Sequence, residues 1–241
     1  MEVAEYALMD RAEQQMWWYR ALHTRLAAAL HGVLDRQPAP RVLDAGCGTG
    51  GLLARLGDRA AWVGLDASAA ALDLAQRKTP APLACGSVDA LPFADASFDA
   101  AVAADLLCHR AVSPPQALAE LRRVLRPGGR LVINMPAFAW LASAHDRRVH
   151  NARRQTASEL GAMLRAAGFD TVRTRYWNFL LLPLVVVQRK LLARGEAASD
   201  VAMFPPWLDA LFGAVIRVEQ RLPFALPGSS ILATAIRPAG P

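Results

Sequence analysis

The sequence predicts an α/β protein: a doubly wound, seven-stranded, mostly parallel sheet with an N-terminal helical cap and an apolar helical insert before the last strand. Three observations carry this. From residue 41 onward, short apolar runs alternate with helical patterns. A glycine-rich turn, Asp44-Ala45-Gly46-Cys47-Gly48-Thr49-Gly50, joins the first run to the first helix. Upstream, Met9, Ala12, Met16, Tyr19, Leu22, Leu26, Leu30 and Val33 recur at three- and four-residue spacing, predicting helix over 3–34.

Taken in order, Gln37-Pro38-Ala39-Pro40 breaks that helix, so residues 1–37 form the cap. Strands follow at 41–44 and 61–66, with helices at 49–56 and 68–78. Further strands are expected at 83–86 and 98–104. Ser113-Pro114 places a cap residue before a first-turn proline, opening a helix through Leu125 that Pro127-Gly128-Gly129 ends. Residues 130–135 are the fifth strand. Thr156-Ala157-Ser158-Glu159 is a capping box whose helix stops at Gly168. Strands at 172–177 and 231–236 complete the sheet. Residues 38–177 and 229–241 thus make one domain, and 178–228 is an insert with two apolar helices, at 178–193 and 206–222.

Composition sets limits. With 54% hydrophobic and 20% charged residues, the 241-residue chain can bury a core and is not a disordered polymer. Its longest apolar run, 179–187, is interrupted by Pro183 and ends at Gln188-Arg189-Lys190, short of the roughly 20 residues a membrane span needs. Glu2, Glu5 and Asp10 near the start are unlike a secretory leader, so the expected location is cytoplasmic. Cys47, Cys85 and Cys108 lack the number and spacing of a disulfide frame or a zinc site, and no metal is expected. The net charge of +6 would permit phosphate or anionic-membrane contact, but 25 of the 27 basic residues are arginine in an alanine-rich chain. Such bias reflects composition as readily as a nucleic-acid footprint, and no nucleic-acid partner is expected.

The glycine turn alone is ambiguous. Gly46-x-Gly48-x-x-Gly51 also fits a dinucleotide fingerprint, and Asp66 stands about 20 residues on, where a ribose-binding acid belongs in either case. Other segments separate the readings. Ser87-Val88-Asp89-Ala90-Leu91-Pro92-Phe93 precedes the fourth strand, Ser97-Phe98-Asp99 enters it, and Leu125-Arg126-Pro127-Gly128-Gly129 precedes the fifth. With these in order, residues 40–177 and 229–237 resemble the class I S-adenosylmethionine-dependent methyltransferases, and more narrowly the bacterial small-molecule type.

That resemblance implies S-adenosylmethionine as cofactor. It places Asp44 near the methionine amino group, and Gly46, Cys47, Gly48 and Gly50 along the methionine and ribose. Asp66, followed by Ala67, would accept both ribose hydroxyls. Asp89, Ala90 and Leu91 would border the adenine, and Asp105-Leu106 would flank the sulfonium and the acceptor opening.

Methyl transfer from a sulfonium requires alignment and exclusion of water, and a base if the acceptor is a phenol, alcohol or amide. His145-Asp146 follows the fifth strand, where this fold places substrate-facing residues: either His145 is the base, oriented by Asp146, or it is a hydrogen-bonding loop residue. His109 is the second candidate. The segment His145-Asp146, His150, Arg153-Arg154 resembles a subset of these enzymes, although Gln155 stands in place of their tyrosine and His150 is displaced by one residue. Trp17-Trp18-Tyr19-Arg20 resembles that subset's opening helix and would wall the acceptor pocket with Trp177, His150 and Arg154; simple core packing is the competing reading.

The insert has three readings: a lid over a lipophilic pocket, a homodimer interface, or a surface resting on a membrane. The expected activity is methylation, at oxygen, of a small lipophilic or aromatic acceptor such as a natural product. The alternatives are a non-methylating cyclisation or elimination on the same fold, and a methyltransferase-like partner subunit.

Overall fold

The computed structural model of the chain describes residues 3–35, 38–189, 204–224 and 226–239, with backbone alone at Val3, Ala4 and His145. The core is one seven-stranded sheet. Its strands are β1 (Arg41–Ala45), β2 (Ala61–Asp66), β3 (Leu83–Cys85), β4 (Phe98–Ala104), β5 (Leu125–Pro136), β6 (Asp170–Trp177) and β7 (Ser230–Ile236). They lie in the order β3-β2-β1-β4-β5-β7-β6, and only β7 runs against its neighbours. The order reverses between β1 and β4, so the crevice at the carboxyl ends of those strands is where a doubly wound sheet binds ligands.

Both faces are covered. Helices α3 (Gly51–Leu56), α4 (Ala69–Ala75), α5 (Pro114–Val124) and α7 (Ala157–Ala166) are the crossovers, and α6 (Ala144–Arg148) is a short turn after β5 that the sequence pattern did not predict. One side packs Leu43, Leu65, Phe98, Leu118, Leu121, Leu131 and Ile133. The other packs Val42, Val102 and Val132 of the sheet under Leu22, Leu26 and Leu30. The predicted capping box at α7 is present: Glu159 N–H donates to Thr156 Oγ1 at 3.2 Å, while Thr156 N–H donates to the Glu159 carboxylate at 2.7 Å.

The largest departure lies in the cap. One helix was expected over 3–34; the chain forms α1 (Val3–Ala12) and α2 (Trp17–Ala29) with a turn between them. Met16 is extended there (φ −71°, ψ 133°) and gives α2 no side-chain cap. Asp209 of α9 (Pro206–Arg221) supplies it, accepting the Trp17 N–H at 2.7 Å and pairing with Arg20 at 2.6 Å. Glu13, in the turn, points inward to the Gly51 N–H. Long-range partners therefore break a helix whose local periodicity is continuous.

The insert contributes α8 (Leu182–Val187) and α9. The expected helices at 178–193 and 206–222 are shorter than predicted at their described ends, and residues 190–203, including Lys190 and Arg194, lie outside the described residues. Helix α9 packs on α2 through Trp17 and Phe212 and through two acid–arginine pairs, Asp209–Arg20 and Glu219–Arg25.

Candidate active site

The glycine turn lies over the ends of β1 and β2. Gly46 N–H and Cys47 N–H both donate to Leu65 O, at 2.7 and 2.9 Å. Gly48 N–H donates to Asp66 Oδ2, and Ser68 N–H to Asp66 Oδ1, each at 2.9 Å. Two positions require glycine. Gly50 has φ +84°, and a Cβ there would lie 2.9 Å from Ala75 Cβ. Gly46 has φ +77°, and its Cβ would meet the Leu106 side chain at 2.8 Å, which brings the turn after β4 against the turn after β1. The Cys47 side chain points into the core instead, toward Gly64, and burial pushes its thiol up.

Asp44 is only 3% exposed, and among the described residues no donor bonds its carboxyl. Burial, then the nearby Asp66 and Glu13 carboxylates, push it up to about 7. A buried acid beside two others demands a proton or a cation, which suits the ammonium of a methionine moiety. With the close-approach turn and the two-oxygen Asp66 acceptor, the residues present fit S-adenosylmethionine.

Asp89 is placed differently from its expected role alone. Both its oxygens accept the Ser113 N–H (3.2 and 3.0 Å), so it ties its loop to the residue that precedes α5. Only its outer lone pairs face away from that amide. Helix α5 also holds this loop through Glu120, which accepts the Leu91 N–H at 2.7 Å, and Arg123, which donates to Leu91 O and Phe93 O. Ala67 and Ala90 are exposed at the rim, and Leu91 is buried under it.

Asp105 sits at the end of β4 with φ +50°, a conformation costly for a non-glycine residue and held here by three hydrogen bonds. Its N–H donates to Asn134 O at 2.9 Å and its Oδ1 accepts Asn134 Nδ2 at 3.0 Å. The Cys108 thiol donates to its carbonyl at 3.0 Å. Asn134 Oδ1 in turn accepts Trp177 Nε1–H at 2.9 Å, so a hydrogen-bonded chain runs from Trp177 to Asp105. Burial pushes the Asp105 carboxyl up to about 6 despite the Asn134 bond and the nearby Arg154 charge.

The three consecutive aromatics diverge. Trp17 is buried against Phe212, with ring centroids 5.8 Å apart. Trp18 stacks on Trp177 at 5.9 Å, while Arg25 covers the Trp177 ring at 4.5 Å. The Tyr19 hydroxyl is near enough to Glu13, Asp105 and Glu5 for their charges, after burial, to push it up. Tyr19 is thus close to Asp105, and Trp177 reaches it through Asn134 with Trp18 stacked on the Trp177 ring. Trp17 and Arg20 instead are committed to α9.

The histidine segment is held by an acid–arginine pair. Asp146, expected to orient His145, is buried and bonded to Arg154 (2.8 and 3.0 Å) and to the Ser143 N–H (2.8 Å). Arg154 further donates to Ala137 O at 3.0 Å, so this pair welds α6 to the end of β5. The His145 backbone belongs to α6, and its side chain lies outside the described residues. His150 is exposed at φ +57° on the turn that pairs with Arg110. His109 is half-buried, and desolvation pulls it down to about 4, so it is neutral at pH 7. Among the described residues no group of three or more His, Cys, Asp or Glu gathers in metal-binding geometry.

Sequence reasoning missed five residues here. Tyr6 lies by Ser68 and Asp66, the Met9 methyl is 2.7 Å from where a Gly48 Cβ would be, and Glu13 accepts the Gly51 N–H. Lys78 anchors this cover by pairing with Asp10 and Glu13. The fifth is Asn134. No motif marks any of them; the cap's periodicity signalled only a buried face.

Comparison with known proteins now decides the family. A profile described as "Methyltransferase domain" matches residues 43–133. A demethylmenaquinone methyltransferase of Mycolicibacterium vanbaalenii is 32% identical over 195 residues, 67% of this chain and 78% of that protein. The chain belongs to the class I S-adenosylmethionine-dependent methyltransferases. A malonyl-[acyl-carrier protein] O-methyltransferase of Erwinia pyrifoliae is 45% identical over 98 residues, 40% of this methyltransferase-family chain and 37% of that protein. Two further curated relatives are matched over 32% and 23% of their length, so the chain spans well under half of these three. A SAM-dependent methyltransferase from Thermotoga maritima shares the fold, with TM-score 0.63 and 18% identity over 98% of this chain and 96% of that one. The family's cofactor is S-adenosylmethionine, and the matched profile covers the glycine turn, Asp66, Asp89 and Asp105.

Proposed function

We propose that this chain transfers a methyl group from S-adenosylmethionine to a small apolar or aromatic acceptor, at oxygen. The cofactor, when bound, supplies an electrophilic methyl group and a good leaving group. The observation that carries the donor assignment is Asp44: a buried acid to which no donor bonds among the described residues, beside Asp66 and Glu13, at the start of a turn whose Gly46 and Gly50 leave no room for a Cβ. The acceptor assignment rests on the aromatic cluster of Trp18, Tyr19 and Trp177, which Asn134 links to Asp105.

The protein's own contribution is binding, orientation and proton transfer. Asp66 holds ribose hydroxyls and the glycine turn together. Tyr6, Met9 and Glu13 cover that turn and exclude water from it. Asn134 and Trp177 fix Asp105, whose elevated carboxyl can hold a proton near neutral pH. His145 is the proposed base for an acceptor hydroxyl, with neutral His109 the second candidate. Proximity and alignment supply the rest of the rate.

The test uses methyl-labelled S-adenosylmethionine, the purified protein and a cell extract resolved into organic, aqueous, RNA and protein fractions. Label in the organic fraction supports the reading and yields the acceptor for mass spectrometry. Label in RNA or protein refutes the apolar-acceptor assignment. Cofactor binding with no label in any fraction refutes methyl transfer and favours the cyclisation or elimination alternative.

A further inference from the structure

Large apolar side chains are unevenly distributed over the surface. Nine are strongly exposed among the described residues, and eight of them lie between positions 180 and 226; Trp140 is the ninth. On α9, Trp207, Leu211 and Val218 recur at four- and seven-residue spacing with Ala214 between them, forming one stripe. That stripe is opposite Phe212, Gly213, Ile216 and Glu219, the face buried on α2. Trp207 is 69% exposed, far beyond what a core-packing role would leave in water.

The charges of the same segment are sorted. Between 178 and 239 the described acidic residues are Asp209 and Glu219, and both turn inward, onto Arg20 and Arg25. Glu219 is 2% exposed and takes the N–H groups of Asn178, Phe179 and Leu180 besides Arg25. Arg217 and Arg221, by contrast, are exposed along the flank of the α9 stripe. Among the described residues the outward face is thus apolar at its centre, basic at its edge and free of acid. A partner copy of this chain would bring the same positive edge against it.

We infer that this face docks the protein on an anionic phospholipid surface, with Trp207, Leu211 and Val218 in the interface and Arg217 and Arg221 at the phosphates. The surface continues toward the candidate active site. On α8, Leu184 and Val187 are exposed, and Arg189 just beyond donates to Leu141 O at 2.9 Å, in the loop that carries Trp140. That loop follows β5 beside the Asp146–Arg154 pair. An acceptor dissolved in the bilayer would meet the protein at this edge. The inference extends the apolar-acceptor reading but does not rest on it.

The experiment is co-sedimentation of the full chain with vesicles of phosphatidylcholine alone or mixed with phosphatidylglycerol, together with light scattering of the free protein. The mixed vesicles should pellet the chain at least tenfold more effectively, and raised salt should release it. Trp207→Ser with Leu211→Ser should abolish pelleting, while Arg217→Gln with Arg221→Gln should weaken it about tenfold, each variant keeping its thermal midpoint and S-adenosylhomocysteine affinity. Equal pelleting of wild type and the Trp207/Leu211 variant overturns the proposal, as does failure to bind either vesicle. A wild-type dimer that the same substitutions convert to monomer also overturns it and assigns the face to a second copy. Because no turnover is read, failure of docking and failure of the acceptor assignment are distinguishable.

Discussion

Removing the Asp66 carboxylate tests the donor site most directly. In the structure each oxygen accepts one backbone N–H at 2.9 Å, from Gly48 and from Ser68, so the side chain braces the glycine turn before any ligand arrives. A carboxylate offers about four lone-pair sites, which leaves one on each oxygen for the ribose hydroxyls. Hydrogen bonds to a charged group contribute about 1.5–3 kcal/mol. Truncation lets water replace part of that, so Asp66→Ala should weaken S-adenosylhomocysteine binding by about 1.5–3 kcal/mol, roughly ten- to 150-fold. Asp66→Asn should fall between, because its amide nitrogen would confront one of the two N–H donors. Isothermal titration measures the affinity, and circular dichroism confirms that the variant is folded. A folded Asp66→Ala protein with wild-type affinity would refute both the ribose role and the reasoning from the bracing bonds.

Three other outcomes follow from the same geometry. Asp44, pushed up to about 7, stabilises the ligand-free fold when protonated; that contribution is complete below the ordinary carboxylate range and is lost as pH rises through about 7. A cationic ammonium needs the ionised form, so cofactor-product affinity should rise through the same interval, and Asp44→Asn should flatten both profiles in melting and titration experiments. Glu219→Gln leaves Arg25 buried without its counter-charge and should cost about 3–5 kcal/mol, read by chemical denaturation; a loss below about 1 kcal/mol would show the pair to be incidental. His145→Ala should lower turnover with product affinity nearly unchanged, and a wild-type rate on the identified acceptor would remove it as base.

Much of the fold was legible because its signals are local. The β2 and β4 boundaries, the Thr156 capping box and the Gly168 stop all depend on neighbours within a few residues, and the structure contains them at those positions. The glycine turn and Asp66 were legible for a similar reason: backbone close to a ligand leaves a residue-type pattern. The Asp146–Arg154 pair was not. Asp146 stands next to His145 in sequence, but the arginine eight residues on reaches both its oxygens.

By itself, then, the sequence determined the alternation of strands and helices, the cofactor turn and the excess of apolar residues in the insert, since periodicity and steric demand act over short distances. Only the tertiary structure decided where the cap helix breaks, because Asp209 and Glu13 contribute their carboxylates from distant or inward-turned positions. It also decided that Trp17 turns to α9 while Trp18 and Tyr19 turn away from it, and that the insert's described acids, Asp209 and Glu219, face inward while Arg217 and Arg221 face out. The physical reason is common to all of these. A buried charge must find its partner wherever the fold places one, and sequence spacing does not record that distance.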